Sequence, residues 1–357
     1  MKKTARIAAV AAIAALSLSA CGERPSDEPA DTGSASESPS ESESSPAAEE
    51  IDFKACMVSD SGGFDDKSFN QTSHDGLEAA AQNLGVQTGE VESQSDSEYG
   101  DNISALVDEG CNSVTTVGFL LGDATLEAAK ANPDVDFSIV DFAYDKAPKN
   151  LKGLVFNTGE PSFQAGYLAA AASETGTVGT FGGLNIPTVT AFMEGFRLGV
   201  EHYNEQEGGD VKVLGWDGKD GSFTDDFEDK TKGQQVAEQM IGQGADIIFP
   251  VAGPAGLGGL QAAKDNNVKG IWVDTDGCVS TEYCDVLLTS VMKGMDVAVE
   301  EAITSSVNEE FNSELFVGTL ENGGVGLAEV SDDVDPAVVE KLDELEQQII
   351  AGELKVG

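Results

Sequence analysis

The fold is decided by one stretch of sequence, Ile51-Asp-Phe-Lys-Ala-Cys-Met-Val-Ser-Asp-Ser-Gly-Gly-Phe-Asp-Asp-Lys-Ser-Phe-Asn70. Its first apolar run predicts a buried strand, which ends at Asp60 and is followed by a glycine pair that turns the chain. Asp65 and Asp66 are suited to begin a helix over residues 68–84, where apolar side chains recur at helical spacing. The stretch therefore predicts a strand, a tight loop and a helix, with an acid, an aromatic ring and an amide at their junction. Open α/β sheets bind small ligands at such junctions.

Strands and helices alternate along the rest of the chain. Strands are predicted at residues 86–91, 112–117, 137–140, 151–156, 177–181, 211–214, 246–251, 270–273, 286–291, 316–320 and 325–330. Helices are predicted at residues 99–109, 123–131, 161–173, 188–205, 228–241, 256–265 and 336–351, with another after Lys293. This alternation indicates an α/β fold of two doubly wound, parallel lobes around a cleft. The lobes are expected to be residues 51–157 with about 286–318, and residues 158–285 with about 319–357.

The N-terminus is interpreted as a targeting segment. Residues 1–20 combine basic side chains with an apolar run too short for an ordinary transmembrane helix. They lead to Leu18-Ser-Ala-Cys21, which resembles a bacterial lipobox with lipid attachment at Cys21; a plain secretory signal is the alternative. Residues 21–50 are polar and acidic and are expected to form a disordered tether. The expected location is the extracytoplasmic face of a bacterial cell membrane, with the protein held by its lipid anchor.

The chain is strongly acidic. Its formal net charge is −44, from 64 acidic and 20 basic residues. Such a surface repels nucleic acid and anionic lipid head groups, so no nucleic-acid partner is expected. The acidity is compatible either with a simple role in solubility or with a saline environment.

The cysteines besides the proposed anchor Cys21 form an even number, in an oxidising compartment. Cys278 and Cys284 flank a short polar loop and are expected to form a local disulfide. Cys56 and Cys111 lie in or next to neighbouring predicted strands, where they either pair or stay as buried thiols. No zinc-type spacing is present, so no metal site is expected.

Most predicted strands end on a polar residue or a glycine, at Asp60, Gly118, Asp141, Asn157, Gly182, Asp217, Gly253 and Asp274. In two facing lobes these strand ends meet at the cleft. Turn formation explains some of them, but repeated endings in Asp exceed what turns require. Because a carboxylate only accepts hydrogen bonds, the cleft suits a ligand rich in hydroxyl donors and rejects phosphate. The loop at Gly253 matches no phosphate-binding motif and serves either close backbone approach to a ligand or a tight turn.

Aromatic rings near the strand ends supply the apolar half of the expected site. Phe69, Phe192, Trp216 and Phe223 lie near helix starts or just after strands, where a flat ligand could stack on them. Phe69 and Phe192 are equally compatible with core packing. Lys293 follows a strand in a lysine-poor chain and is either a specific donor or a solvated lysine.

No catalytic constellation is present in the sequence. The Gly-x-Ser-x-Gly elbow and the His-Glu-x-x-His motif are missing, and neither His74 nor His202 lies near a candidate nucleophile. Paired carboxylates would also suit a glycosidase, but a tethered two-lobe binding protein explains them with fewer assumptions. The protein is therefore expected to be no enzyme and to need no cofactor.

The sequence resembles a known family. Asp60-Ser-Gly-Gly-Phe-Asp-Asp-Lys-Ser-Phe-Asn70 is similar to the signature of the basic membrane protein family of bacterial lipoproteins, the substrate-binding proteins of ABC importers, many of them for nucleosides. Further similar motifs are Asn157-Thr-Gly-Glu-Pro-Ser-Phe-Gln-Ala-Gly-Tyr-Leu-Ala-Ala170, Phe192-Met-Glu-Gly-Phe-Arg-Leu-Gly199, Gly244-Ala-Asp-Ile-Ile-Phe249, Ala252-Gly253, Val273-Asp-Thr-Asp-Gly277 and Thr289-Ser-Val-Met-Lys293. The similarity covers about residues 53–330 and implies the type I periplasmic-binding fold, with two Rossmann-like lobes.

The resemblance also implies a nucleoside site in the cleft. The residues that would contact the nucleoside are Asp60, Phe69, Asn70 and Asp141, with Asp274 and Lys293 on the ribose hydroxyls and Phe192 or Phe223 stacked on the base. One departure from the family pattern is Gly277, where a Gln is common, followed by the unusual loop between Cys278 and Cys284. This departure affects the rim near Asp274 and leaves the base preference open.

The resulting hypothesis is a lipid-anchored receptor that binds nucleosides, with purines favoured. It would close on its ligand by hinge motion and deliver it to an ABC permease. One alternative is a receptor of the same fold for a sugar or another polar ring. Another, of a different class, is a surface-anchored hydrolase.

Overall fold

The described residues form two six-stranded sheets, and all strands of the first sheet are parallel. The structure is a computed structural model that describes residues 48–356. The strands of this first sheet are, in spatial order, β2 (Gln87–Glu92), β1 (Lys54–Ser59), β3 (Ser113–Val117), β4 (Asp136–Val140), β5 (Leu151–Phe156) and β11 (Phe316–Gly318). Strand β3 is buried along its whole length, as expected for a parallel strand covered on both faces. The predicted signal, the anchor Cys21 and most of the predicted tether lie outside the described residues.

The second sheet has the same plan with an antiparallel edge. Its strands are, in spatial order, β7 (Lys212–Leu214), β6 (Thr177–Gly182), β8 (Ile247–Val251), β9 (Lys269–Asp274), β10 (Leu287–Lys293) and β12 (Val325–Leu327). Only the pairing of β10 with β12 is antiparallel among the described strands of this sheet. Each sheet belongs to one lobe of an α/β fold, which confirms the predicted fold class.

Helices cover both faces of each sheet. Those of the first lobe are α1 (Phe69–Leu84), α2 (Tyr99–Asp108), α3 (Gly122–Ala131) and α9 (Met295–Val307). Those of the second lobe are α4 (Gly159–Ala172), α5 (Pro187–Glu207), α6 (Lys230–Gly242), α7 (Gly253–Asp265), α8 (Gly277–Ser280) and α10 (Pro336–Ile350). Successive side chains of β1 show the layering, because Met57 packs in the core with Leu77 and Val299 whereas Val58 packs with Ile103.

The chain passes between the lobes after β5, after β10 and after β11, and these passages form the hinge. They are hydrogen-bonded to one another. The amide of Asn157 donates to the carbonyl of Gly318 at 2.8 Å, and the amide of Gly294 donates to the carbonyl of Gly324 at 2.9 Å. The hinge is therefore a small set of mutually paired backbone segments.

One predicted lobe boundary is wrong. The first lobe was expected to include the chain from about residue 286, but β10 pairs in parallel with β9, with Val291 opposite Val273 in the second sheet. The chain returns to the first lobe only after Lys293, where α9 begins. The reason is that strand pairing is a long-range choice, and an apolar run can complete either of two similar sheets.

Residues 48–356 contain two disulfides. Cys56 of β1 is bonded to Cys111, which lies two positions before the start of the neighbouring strand β3. Cys278 in α8 is bonded to Cys284 and closes a short loop at the edge of the second lobe. Although Cys56 and Cys111 are 55 positions apart in sequence, their bond links β1 to the segment that leads into the adjacent strand β3.

Candidate functional site

A cavity lies between the lobes, where the carboxyl ends of both sheets face each other. Clefts between two lobes are common places for small-molecule sites. The predicted ligand-binding residues that line it are Asp60, Phe69, Asn70, Asp141, Phe192, Gly253, Asp274 and Lys293. Phe223 does not line it. All predicted ligand-binding residues except Phe223 therefore lie around one cavity.

The first-lobe wall is built from Asp60 and Asn70. The side-chain Nδ2 of Asn70 donates to Oδ1 of Asp60 at 2.9 Å and to the carbonyl of Ser61 at 3.3 Å. These bonds fix the amide, and its Oδ1 is buried with no partner among the described residues. Because an unpaired buried acceptor is unfavourable, this oxygen is ready to accept a hydrogen bond from a ligand.

Asp66 organises this wall from behind. Its carboxylate accepts hydrogen bonds from the backbone amides of Ser68 and Asn70 at 2.9 Å and of Gln71 at 3.0 Å. Burial raises the pKa of Asp66 to about 6, and the backbone amides oppose this shift. Asp66 was predicted to begin the helix, but not to line the cavity, which it does.

Asp60 is an acid of the cleft with a strongly raised pKa. Burial raises its pKa to about 8; the hydrogen bond from Asn70 opposes the shift, and the charges of Asp66 and Asp141 add to it. At neutral pH the carboxyl is therefore largely protonated, so that it can donate as well as accept a hydrogen bond.

Gly118 provides the space that Asp60 needs. It follows β3 with a φ of +123°, and a Cβ at this position would lie 2.3 Å from Oδ2 of Asp60. We expect Gly118→Ala to displace the Asp60 carboxyl. Its loss in the free energy of unfolding should exceed the loss caused by an alanine at a glycine of positive φ without such a contact by at least about 1 kcal/mol. Gly110→Ala is the matched control, because Gly110 also has a positive φ, +87°, but faces open space. Urea unfolding checks both variants, and equal losses would contradict the proposed contact.

Asp141 and Asp274 occupy equivalent places in the two lobes. Asp141 follows the last residue of β4, Asp274 is the last residue of β9, and both have a φ of 70°. A left-handed backbone is uncommon outside glycine and is retained mainly where a site requires it. Both residues line the cavity. Burial also raises the pKa of Asp274, and the charge of Lys293 opposes this shift.

Lys293 is buried at the back of the cleft. Only 2% of its side chain is exposed, and its Nζ lies 2.5 Å from Oδ2 of Asp141. The same nitrogen lies over the rings of Phe69, Phe156 and Phe192, at 4.6, 5.3 and 5.9 Å from their centroids. The lysine therefore links the second sheet to the first lobe through the ion pair with Asp141 and the cation–π contacts with Phe69 and Phe156.

Helix N-termini also face the cavity. The helices α1, α5 and α7 each begin at or next to a residue that lines it, namely Phe69, Thr188 and Gly253. The positive ends of helices favour negative charge and so partly compensate the clustered carboxylates. Gly253 has a φ of +50°, so its place at the start of α7 suits glycine and brings bare backbone to the cavity wall.

The aromatic set was predicted only in part. Phe69 and Phe192 line the cavity, whereas Phe223 packs on Gly182 and on the indole of Trp216, at a centroid distance of 6.4 Å. Of the two rings predicted as alternatives for stacking on the base, Phe192 lines the cavity and Phe223 does not. The backbone of Phe223 pairs beside Gly182 as an extension of β6, which turns the ring towards the core of the second lobe. Phe227 from the same loop reaches the cavity instead.

Sequence reasoning missed several apolar contributors. They are Phe119, Leu120, Ile186, Val189 and Phe227. Phe119 and Leu120 directly follow the strand end at Gly118, so the strand-end pattern contained a signal for them. Ile186 lies before the start of α5 and had no comparable signal.

The arrangement of two facing lobes around an acidic and aromatic cleft agrees with the comparison with known proteins. A family model described as ABC transporter substrate-binding protein PnrA-like matches residues 53–357. The chain belongs to this family, the Bmp family. The resemblance inferred from the sequence motifs is thus confirmed. Bmp proteins are substrate-binding components of ABC transporters and not enzymes.

Similar proteins support the same assignment. The CD4+ T-cell-stimulating antigen of Listeria monocytogenes is 32% identical over 327 residues, which cover 85% of this chain and 88% of that protein. The ABC transporter nucleoside-binding protein BmpA of Lactococcus lactis is 31% identical over 309 residues, covering 80% and 85%. The crystal structure of an ABC transporter solute-binding protein from Aeropyrum pernix matches with a TM-score of 0.77 and 26% identity, covering 85% and 92%.

This Bmp protein is therefore an extracytoplasmic substrate-binding protein that takes up a small molecule and delivers it to an ABC permease. Across residues 48–356, no helix combines the length and the apolar character needed to cross a bilayer. The site residues described above lie in the part of the chain that the family model covers.

Proposed function

We propose that the cleft binds a nucleoside, with purines favoured. The observation that carries this proposal is the combination of aromatic rings with buried hydrogen-bonding groups of both kinds in one cavity. Phe69 and Phe192 suit the faces of a flat base. A related protein from Lactococcus lactis is named a nucleoside-binding protein, which supports the same ligand class.

The polar groups divide between the base and the ribose. The buried Oδ1 of Asn70 would accept from the base, and the protonated Asp60 beside it would donate or accept. Asp274 would accept from ribose hydroxyls, with Lys293 donating to them. Asp141 would keep the lysine in place through the 2.5 Å ion pair. Gly253 would let the ligand approach the backbone of α7 closely.

The charge balance argues against nucleotides. Lys293 is the only cation among the described residues that line the cavity, and its charge is already compensated by Asp141. The other acids of the lining are Asp66, Asp274 and Asp60, of which Asp60 is largely protonated at neutral pH. A phosphate would meet repulsion from these carboxylates without a free cation to bind it, so an uncharged nucleoside fits better.

The membrane anchor is part of the proposal. A lipid on Cys21, with residues 22–47 as a tether, would keep the receptor near its permease on the extracytoplasmic face. The predicted tether extended to residue 50, but the amide of Ala48 already donates to the carbonyl of Gln82 in the first lobe. Hinge motion at the backbone passages between the lobes would open and close the cleft around the nucleoside.

A ligand panel tests the proposal. We expect purine nucleosides to raise the melting temperature by several degrees, because a ligand at about 100 times its dissociation constant adds about 2.7 kcal/mol to the free energy of unfolding. Free bases, nucleotides and hexoses are expected to give smaller shifts or none. Thermal-shift fluorimetry measures these changes, and a shift with hexoses but with no nucleoside would reject the nucleoside assignment.

Asp274→Ala is expected to abolish the nucleoside-induced shift, because the ribose hydroxyls lose their acceptor. Asp333→Ala is the control, since Asp333 lies in an exposed ion pair with Lys269 and does not line the cavity. Retention of the shift in the Asp274 variant would remove Asp274 from the ligand site.

A further inference from the structure

A direct hydrogen bond joins the two lobes across the cleft. The hydroxyl of Ser68, at the start of α1 in the first lobe, donates to Oδ2 of Asp274 in the second lobe at 2.6 Å. Both residues are buried, with exposed fractions of 0% and 7%. Neither the sequence motifs nor the ligand assignment gives Ser68 a role. A short bond to a buried carboxyl group is among the stronger kinds of hydrogen bond.

The hydroxyl of Ser68 is free to cross the cleft because another residue performs its usual task. A serine at a helix N-cap normally accepts a bond from the first-turn amides, but Ser68 makes no such bond. Asp66 instead accepts from the amides of Asn70 and Gln71. Asp66 also accepts from the amide of Ser68 itself, which fixes the backbone of this residue.

A second bond across the cleft lies at the adjacent residue. The indole Nε1 of Trp272 in β9 donates to the carbonyl of Lys67 at 3.2 Å. Lys67 has a φ of 63°, so the turn that presents this carbonyl is held in a left-handed conformation. Two consecutive residues of the first lobe thus contact the end of β9. Lys67 contacts Trp272, and Ser68 contacts Asp274, the last residue of that strand.

We propose that Ser68 is a positioning residue that holds the Asp274 carboxyl in place and keeps the two lobes closed. Its effect on ligand release rests on the proposed nucleoside function, in which Asp274 contacts the ligand. Its effect on lobe closure does not depend on any ligand. Because the bond exists only when the lobes are together, its loss increases the dissociation rate more than it decreases the association rate.

The two tryptophans of the chain provide a test of closure without ligand. The indole N–H of Trp272 is bonded across the cleft, whereas that of Trp216 donates to Glu194 within the second lobe at 2.8 Å. Hydrogen exchange of both indole protons can be followed by NMR in the full-length chain. The rate for Trp272 reports on opening of the cleft, and the rate for Trp216 reports on opening within the second lobe. In Ser68→Ala we expect Trp272 to exchange roughly ten- to hundredfold faster and Trp216 to stay unchanged.

Matched variants separate this role from simple loss of a buried hydroxyl. Ser73→Ala removes an equally buried hydroxyl from the same helix, but that hydroxyl bonds only within the first lobe, to Phe69 and Met295. It is expected to leave the exchange of Trp272 unchanged. In an Asp274→Asn background, Ser68→Ala is expected to increase the exchange rate of Trp272 by a smaller factor than in the wild-type chain, because the two residues act through one bond.

The ligand arm uses adenosine as the probe and measures association and dissociation rates by stopped flow. Ser68→Ala is expected to raise the dissociation rate roughly ten- to hundredfold with little change in association. If adenosine and other nucleosides do not bind the wild-type chain, the proposed function fails while the exchange of Trp272 still decides the role of Ser68. Unchanged Trp272 exchange in Ser68→Ala, or an equal increase in Ser73→Ala, would overturn the inference.

Discussion

Replacing Lys293 with methionine is expected to lower the free energy of unfolding by about 3–5 kcal/mol, the range found when one partner of a buried ion pair is removed. Methionine has nearly the same length, so the change removes the charge with little loss of volume. Because only 2% of Lys293 and 9% of Asp141 are exposed, water does not reach the place of the lost partner while the cleft is closed. The carboxylate of Asp141 would remain buried without its cation.

The neighbouring acids enlarge this effect. Lys293 holds down the pKa of Asp274, and the charge of Asp141 raises it. Without the lysine, Asp60, Asp141 and Asp274 share a cavity that has no other cation among its described lining residues. At least one further carboxyl is then expected to bind a proton, so the loss of stability in the variant grows as the pH rises.

Urea unfolding of the full-length chain measures the change, and two variants serve as controls. Lys269→Met removes a lysine whose Nζ lies 2.8 Å from Oδ2 of Asp333 at the surface, where the expected loss is at most about 1 kcal/mol. Lys293→Met combined with Asp141→Asn is expected to recover part of the loss, since it also removes the orphaned charge. A loss in Lys293→Met no larger than in Lys269→Met would show that the ion pair is not shielded from water.

The positions of the strand ends could be predicted because they depend on local pattern. A buried apolar run followed by Asp60, by Asp141 or by Asp274 is visible in the sequence, and the edge of a parallel sheet collects such ends. The positive φ of Asp141 and Asp274 was not predictable, although aspartate adopts this conformation more easily than most residues. The site therefore follows largely from periodicity and topology.

The errors arose where the outcome depended on distant parts of the chain. Strand β10 matches either sheet by composition, and its pairing with β9 is determined by tertiary contacts. Phe223 and Phe227 lie in one loop, and only the backbone pairing of Phe223 with Gly182 decides which ring reaches the cavity. Likewise, the contact of Ser68 with Asp274 joins residues 206 positions apart, which no local pattern encodes.

The second large effect expected is on the pH dependence of stability. The pKa of Asp60 is raised from 3.8 to about 8 in the folded protein, chiefly by burial. Between these values the folded chain keeps a proton that the unfolded chain releases. The contribution of Asp60 to the free energy of unfolding therefore falls as the pH rises from about 4 to about 8, because the folded state keeps the proton of this group over that range.

Asp60→Asn is expected to remove this part of the pH dependence. Asparagine keeps the shape of the protonated acid and can still accept from Asn70 at the 2.9 Å contact. Between about pH 5 and pH 7, the fall in the free energy of unfolding is expected to be smaller in the variant by roughly 2–3 kcal/mol. The variant is therefore expected to be more stable than the wild-type chain at pH 8, although it has lost a group of the ligand site.

The general acidity of the chain requires a specific control. With a net charge of −44, repulsion among surface carboxylates also weakens the fold as the pH rises. Unfolding in about 1 M salt, where the Debye length is about 3 Å, suppresses the contribution of surface repulsion to the pH dependence. The contribution of Asp60 remains. Asp333→Asn is the matched variant, because its ion pair with Lys269 lowers the pKa of Asp333 and places its titration at more acidic pH.

The result also bears on recognition. A protonated Asp60 next to the free Oδ1 of Asn70 offers a donor beside an acceptor, which suits the edge of a base that carries both. If wild type and Asp60→Asn show the same pH dependence in high salt, Asp60 is ionised in the folded protein and can only accept. The pair would then require two donors from the ligand, which favours an exocyclic amine or ribose hydroxyls over a ring nitrogen.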